Sequence, residues 1–417
     1  MELKRVVVTG LGVLTPLGVS VSEFWDNLAK GVSGCEHITR FDTSKFKTKF
    51  GCEIKNFNVT DYLDKKEARK LDPYAQYAII ASDQAIADSG IDLEKLDLNK
   101  IGVIWGSGIG GSDTFLKEVS DFARGSGAPR FNPFFIPKMI ADIASGQISI
   151  RHKLQGPNFT TVSACASSSN AIIDAYNYIR LGKAVAFVTG GSESAINEIG
   201  IGGFNAMRAI SQNNEEYKTA SRPFDATRDG FVMGEGAGSL ILEELDHATA
   251  RGAKIYCEIV GGGISADAHH LTAPHPEGDG AARVMIAALE DNNTAPEDID
   301  YINVHGTATP LGDISEVLAI KRVFGKHAYN MNISSTKSMH GHILGAAGAV
   351  ETIASIMTII KNIIPPTINF TTPDPKIDYD LNFTFNKAQE RDVKYALSNT
   401  FGFGGHNASI IIKEFSA

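Results

Sequence analysis

The chain is poor in cysteine and tryptophan, with four of the first and two of the second among 417 residues. Cys35, Cys52, Cys165 and Cys257 stand far apart, and no CxxC spacing occurs. This argues against a disulfide framework or a zinc site and favours a reducing, cytoplasmic compartment. Positive charge is also short: 39 Lys and Arg face 48 Asp and Glu, a net charge of -9. Such a chain has no general affinity for nucleic acid or anionic membrane, so an acidic partner needs a local basic patch. Long apolar runs are missing as well. The stretch from Ile353 to Ile364 is interrupted by Lys361 and flanked by Glu351 and a Pro pair, too short and too polar to span a bilayer. No signal peptide is visible, because Lys4-Arg5 leads at once into Val6-Val7-Val8-Thr9-Gly10, which reads as a buried first strand.

Glycine, by contrast, is plentiful, at 41 residues, and much of it is clustered at Gly106 to Gly111, Gly261 to Gly263 and Gly402 to Gly405. Glycine permits positive φ and close backbone approach, so each cluster predicts a tight turn beside a buried site. Between the clusters, strand-like runs (Ile101 to Trp105, Ala184 to Thr189, Gly238 to Glu243, Tyr301 to His305, Ala408 to Ile412) alternate with helix-like segments. The latter are Pro73 to Asp88, Ser167 to Leu181, Gly280 to Asp291 and Leu344 to Lys361. The alternation predicts an α/β protein with largely buried sheets. A chain of this length exceeds one simple core, so two large units are expected. Each half offers a small-residue helix start, at Ser163 to Ser169 and at Gly341 to Gly348, followed by a strand and a Gly-rich turn. The charged stretch around Asp246 to Lys254 is the expected join, giving halves of 1–250 and 251–417.

Cys165 is the first candidate for chemistry. It follows a strand-like run and opens a helix, where the positive end of the helix dipole favours thiolate and lowers the thiol pKa. Backbone N–H groups at such a turn can also receive an oxyanion. A lone cysteine is nevertheless more often a small core residue, and a lone histidine a packed or surface one. Three further segments shift that balance. His305 lies in Asn303-Val304-His305-Gly306-Thr307-Ala308-Thr309-Pro310, where a strand runs into a turn. His342 lies in a second tight helix start that also carries Lys337. Asn399 to Asn407, with Phe401 and Phe403, forms a third Gly-rich turn.

Together these segments resemble the elongating β-ketoacyl-acyl carrier protein synthases, and the resemblance runs from Gly10 to Asn407. It includes Ser221 to Asp225 and Arg228 to Gly238. The fold it implies is thiolase-like: two related βαβαβαββ-type halves stacked as five α-β-α-β-α layers. The activity it implies is a decarboxylating Claisen condensation of malonyl-acyl carrier protein with an acyl chain held on the enzyme. Relatives that start from acyl-coenzyme A carry Asn in place of one histidine, and thiolases place a second Cys in the C-terminal Gly-rich motif. This chain has His342 and no Cys after Cys257. A non-catalytic chain-length factor lacks the nucleophile, and a Cys–His hydrolase lacks the paired histidines.

By motif match, the resemblance gives Cys165, His305, His342 and Lys337 as the catalytic set, with the N–H groups of Cys165 and Phe403 as the oxyanion hole. Lys337 either orients this network and supplies positive charge, or forms a structural ion pair with Glu316. Asp313 and Glu316 are implied as supports behind His305. Thr307 and Thr309 are implied to bind the phosphopantetheine arm, Ile109 to line the far end of the acyl pocket, and Phe134 and Phe135 to meet a dimer partner. Phe401 and Phe403 are core aromatics or a gate, the Gly-rich setting favouring a mobile Phe403. Lys66, Arg69, Lys70 and Arg208 are the expected docking patch for an acidic carrier protein. Asn303, Glu351, Ser398 and Asn399 match a structural monovalent-cation site of some relatives. No prosthetic group of the chain's own is implied, since the phosphopantetheine arm arrives on the carrier protein. A homodimer is expected. Three departures from the family pattern, Ala308, His340 and His406, fall near these motifs, and the two histidines are expected to affect the pH response.

Overall fold

A computed structural model describes residues 3–416. The elements alternate as the sequence predicts, in two rounds of the same order. The first runs β1 (Val6–Leu14), α1 (Pro73–Ser89), β2 (Ile101–Gly106), α2 (Ile143–His152), β3 (Asn158–Thr161), α3 (Ser167–Arg180), β4 (Ala186–Glu193) and β5 (Gly236–Glu244). The second runs β6 (Cys257–Ala266), α4 (Asp279–Glu290), β7 (Tyr301–Asn303), α5 (Pro310–Phe324), β8 (Asn332–Ser334), α6 (Ala347–Lys361), β9 (Tyr395–Gly402) and β10 (His406–Glu414). Further helices lie in the connections, the longest of them Ser112–Arg124 between β2 and α2.

Strand order repeats as faithfully as element order. The first five strands lie as β3-β2-β4-β5-β1 and the second five as β8-β7-β9-β10-β6. In each set the three strands at one end are parallel and the remaining pairings antiparallel. Only three residue pairs between β1 and β6 join the two sets into one hydrogen-bonded sheet. This is the thiolase-like α/β architecture. Helix α1 covers the first set, α4 the second, and α3 and α6 lie between them in mutual contact. Central helices must be apolar on every side. In α6 every side chain from Ala347 to Ile359 is buried. The segment Leu344–Lys361 is long and apolar enough to cross a membrane by length and composition, but 89% of it is buried inside the protein.

Small residues make this middle layer possible. A Cβ on Gly348 of α6 would stand 2.0 Å from Ser169 Oγ of α3, so only glycine lets the helices meet there. One glycine expectation fails. Gly261 to Gly263 form no turn but lie inside β6. Cβ atoms on Gly261 and Gly263 would each come within 2.3 Å of a carbonyl oxygen of α4, so close helix-on-strand approach explains the run. The cluster at Gly402 to Gly405 does turn the chain, with φ of 84° at Gly404 and 75° at Gly405 between β9 and β10.

Candidate active site

Both central helices start at the same level of the fold, and each follows a strained residue. Ala164 has φ 51° and Leu344 has φ 45°, left-handed values that side chains beyond glycine adopt at a cost of about 1–3 kcal/mol. Ala164 precedes Cys165, and Leu344 follows His342 by two residues. The strain therefore falls where the two halves present their chemistry to one cavity. Cys165 Sγ lies 3.0 Å from His342 Nε2. The His305 ring stands perpendicular to that of His342, at 87° and 5.4 Å between centroids. Phe231 meets His342 edge-on at 5.1 Å, and Phe401 stands 5.7 Å from His305.

The electrostatics of this cluster correct one expectation. The thiol is not lowered: burial pushes Cys165 up to about 12, while the Lys337 ammonium and the Phe403 N–H pull the other way. Cys165 is only 7% exposed, and loss of water outweighs the favourable groups. Burial and Lys337 act together on both catalytic-site histidines, holding His305 and His342 well below the usual imidazole range. Both rings are therefore neutral at physiological pH. Neither Nδ1 has a hydrogen-bond partner among the described residues. Cys165 Sγ and one nitrogen from each ring lie within 4.8 Å of one another, a donor set that suits a soft metal. The Lys337 charge, which acts on all three groups, opposes a cation there.

Lys337 does not pair with Glu316. Its Nζ is ion-paired with Glu351, both side chains being almost fully buried. Glu316 instead accepts the backbone N–H groups of His305 and Gly306, each at 2.9 Å, and Asn399 Nδ2 at 3.2 Å. It thus fixes the turn that carries His305. Asp313 lies one step further back, accepting Phe224 N at 2.8 Å with Arg228 at 3.3 Å. Burial raises Glu316 to about 7 and Asp313 to about 6. Asn303 Oδ1, Glu351 Oε2 and Ser398 Oγ are buried without partners among the described residues. Such oxygens have the chemistry of cation ligands, whereas the Asn399 side chain is committed to Glu316 and to Ser409, whose hydroxyl it accepts at 2.6 Å.

The cavity above Cys165 measures about 460 Å³. Cys165, His305, His342, Thr307, Thr309, Ile109, Phe401, Phe403 and Arg208 all line it. The Thr307 and Thr309 hydroxyls are hydrogen-bonded to each other at 3.0 Å. Phe134, Phe135, Lys66, Arg69 and Lys70 do not line it. Phe134 is exposed beneath Lys70, whose ammonium lies 5.6 Å from the ring, and Phe135 is half-buried against Phe131. His340 is buried away from the cavity, bonded through Nδ1 to Gly341 O and through Nε2 to Thr336 Oγ1. His406 is exposed, outside the cavity lining. Ala308 is buried with φ 64°. Phe231 and the aromatic Phe204, which stands 6.4 Å from Phe403, are cavity residues that the sequence reading did not single out.

A buried thiol bonded to one imidazole and close to a second, with a buried ammonium acting on all three, suits an acyltransferase of the condensing type on the thiolase-like fold. Comparison with known proteins gives the narrower class. Residues 3–248 match the beta-ketoacyl synthase N-terminal domain, and residues 256–371 match the beta-ketoacyl synthase C-terminal domain. The chain belongs to the β-ketoacyl synthase family. It is similar to the 3-oxoacyl-[acyl-carrier-protein] synthase 2 of Staphylococcus aureus (strain COL), with 49% identity over 417 residues, 99% of each chain. Among solved structures, a beta-ketoacyl synthase from Burkholderia phymatum is 36% identical with a TM-score of 0.92, covering 99% of this chain and all of that one. A type II PKS ketosynthase, bound to the hexaketide and in complex with its acyl-carrier protein, is 32% identical with a TM-score of 0.89. That match covers the whole of both chains.

Proposed function

We propose that this chain catalyses the elongating step of fatty acid synthesis, with Cys165 carrying the growing acyl chain and His305 and His342 serving the malonyl half-reaction. The observation that carries this reading is the 3.0 Å contact between Cys165 Sγ and His342 Nε2 at the base of a cavity that His305 also faces. The thiol holds its proton until the acyl thioester arrives. His342 Nε2 then takes the proton as Sγ attacks, the new C–S bond forms, the bond to pantetheine breaks, and the departing pantetheine sulfur takes the proton from Nε2, leaving His342 neutral. The N–H groups of Cys165 and Phe403 receive the oxyanion, which is consistent with the hydrogen bond that Phe403 N–H offers the sulfur.

Malonyl-acyl carrier protein then occupies the cavity, its arm along Thr307 and Thr309. Loss of carbon dioxide leaves negative charge on the thioester oxygen; once the sulfur is acylated His342 Nε2 no longer faces a thiol proton, and with their protons on Nε2 two neutral imidazoles can both donate to that oxygen. Their depressed pKa values support this role, since each stays an uncharged donor across the working range. Lys337 supplies positive potential without giving up a proton, and Glu316 positions His305. The enolate carbon attacks the acyl–Cys165 carbonyl, the C–S bond to Cys165 breaks as the β-ketoacyl product is released, and the thiolate regains a proton from solvent.

The surrounding assignments belong to the same reading. The halves 1–250 and 251–417 divide the work, the first carrying the nucleophile and the second His305, Lys337 and His342. Asn303, Glu351 and Ser398 would hold a monovalent cation behind the site, steadying Glu351 and so Lys337. The chain uses no cofactor of its own and works in the cytoplasm on substrates borne by an acidic carrier protein. Lys66, Arg69, Lys70 and Arg208 are its docking residues. It acts as a homodimer: exposed Phe115, Val119, Phe122, Phe131 and Phe134 make an apolar surface of the kind that associating proteins cover. Intact-mass measurement after exposure to acyl-carrier proteins tests the core of the proposal. A single acyl adduct lost in Cys165→Ser is expected; labelling retained in that variant overturns it.

A further inference from the structure

Glu193 ends β4 with no exposed surface, and the mechanism above makes no use of it. Its carboxylate accepts the backbone N–H of Gly108 at 2.7 Å, of Ile109 at 3.2 Å and of Gly345 at 3.1 Å. The Ser107 hydroxyl adds a fourth bond at 3.3 Å. These donors come from two turns on different halves. Ser107, Gly108 and Ile109 follow β2 and bring Ile109 to the cavity. Gly345 follows His342, Ile343 and Leu344, and Leu344 lines the same cavity.

The turns touch only because both are bare. A Cβ on Gly345 would lie 2.2 Å from Gly108 N, and one on Gly108 would lie 2.9 Å from Glu193 Oε2. One carboxylate is therefore shared between the two turns. Among the described residues no Lys or Arg pairs with it; burial pushes the carboxyl up to about 7, and the hydrogen bonds from the two turns are what pull it back down.

We propose that Glu193 is a positioning residue for acyl-chain selection, latching the Ile109 turn to the turn that carries His342 and Leu344. This rests on the reading that the acyl chain on Cys165 runs towards Ile109. Ile109 lines the cavity and is 45% exposed; on that reading a long chain must displace it whereas a short chain does not reach it. The latch sets the cost of that displacement. Freeing the turn favours long chains and leaves short ones as they were.

The test compares transfer of hexanoyl and hexadecanoyl groups from acyl carrier protein to Cys165, as kcat/KM for each, in wild type, Glu193→Gln, Glu193→Asp and Ser107→Ala. Glutamine places an NH2 among converging N–H groups and must release one turn. The long-to-short ratio is expected to rise about tenfold in Glu193→Gln, less in Glu193→Asp, and about threefold in Ser107→Ala, which loses one of the four bonds to Glu193 together with the bond that its hydroxyl accepts from Gly110 N–H in the same turn. A general loss of structure lowers both chain lengths together, so an unchanged or reduced ratio overturns the proposal whatever the absolute rates. Should Glu193→Gln not fold, the ratio in Ser107→Ala decides alone. A wild-type protein that accepts neither chain on Cys165 overturns the reading of the site itself, which is a separate result.

Discussion

Lys337 and Glu351 form an ion pair in the interior, with 1% and 0% of their side chains exposed, directly behind the reactive groups. A buried pair of this kind is weak evidence of net stability, but breaking it leaves one charge without a partner. Burial raises Glu351 to about 7, with Lys337 opposing the rise. Lys337 also lowers Cys165, His305 and His342 relative to burial alone.

Removing Lys337 should therefore act on stability and chemistry together. Lys337→Met is expected to cost about 3–5 kcal/mol in urea unfolding, because Glu351 is left unpaired. The double variant Lys337→Met with Glu351→Leu should recover most of that loss without recovering condensation. If activity returns with stability, the ammonium is structural and its field plays no part in the reaction.

Cys165 gives the clearest dependence on pH. Its thiol is pushed up to about 12, so in the unloaded enzyme the thiolate fraction grows throughout the neutral and alkaline range. The rate of alkylation by iodoacetamide should rise about tenfold per pH unit from 7 to 10 with no plateau, unlike an ordinary cysteine that levels off near 8.5. In Lys337→Met the thiol loses a stabilising cation, its pKa rises further, and alkylation at any fixed pH should be slower. A plateau near neutrality would show instead that the helix start dominates.

His305 and His342 differ in their relation to sulfur, and their variants should differ accordingly. Only His342 bonds to Sγ. His305→Ala should keep acyl labelling of Cys165, visible by intact mass, yet lose condensation by about a hundredfold to a thousandfold. His342→Ala should lose both. Because burial keeps both imidazoles neutral, condensation in wild type should show no inflection from histidine protonation between pH 6 and 8.

The legible parts of the fold were those written in apolar runs. β4, β5, β10 and the four helices singled out fall within a few residues of their sequence-read limits. β3 (Asn-Phe-Thr-Thr) was read only in part, as the strand-like run before Cys165, and β8 (Asn-Ile-Ser) was invisible, because three or four mostly polar residues carry no periodicity. Their strand form comes from parallel pairing to β2 and β7. The site divides in the same way. Cys165, His305 and His342 stand in dense motifs, so their convergence could be expected. The partner of Lys337 could not, since Glu351 lies fourteen residues on along a different helix, and only the packed core decides between it and Glu316. Glu193 left one unused signal, a charged residue closing an apolar strand at Gly190-Gly191-Ser192. The raised thiol was missed because a helix start is local, whereas burial is set by the whole cavity.

Carrier-protein docking is the assignment that most needs its own measurement. Lys66, Arg69 and Lys70 are exposed around the short helix Lys65–Ala68, away from the cavity lining, while exposed Arg208 stands on the cavity itself. Complementary charge acts mainly on encounter with an acidic partner, and screening by salt weakens it over about 8–10 Å. Reversing Lys66, Arg69 and Lys70 to Glu should raise KM for acyl-carrier protein about tenfold or more at low salt and leave kcat nearly intact. The defect should shrink as ionic strength rises, because the wild-type attraction is lost along with the variant's repulsion. Arg208→Ala should differ in kind: its place at the cavity predicts a loss in kcat as well, persisting at high salt. A triple variant whose KM matches wild type at low salt removes these three residues from the docking surface.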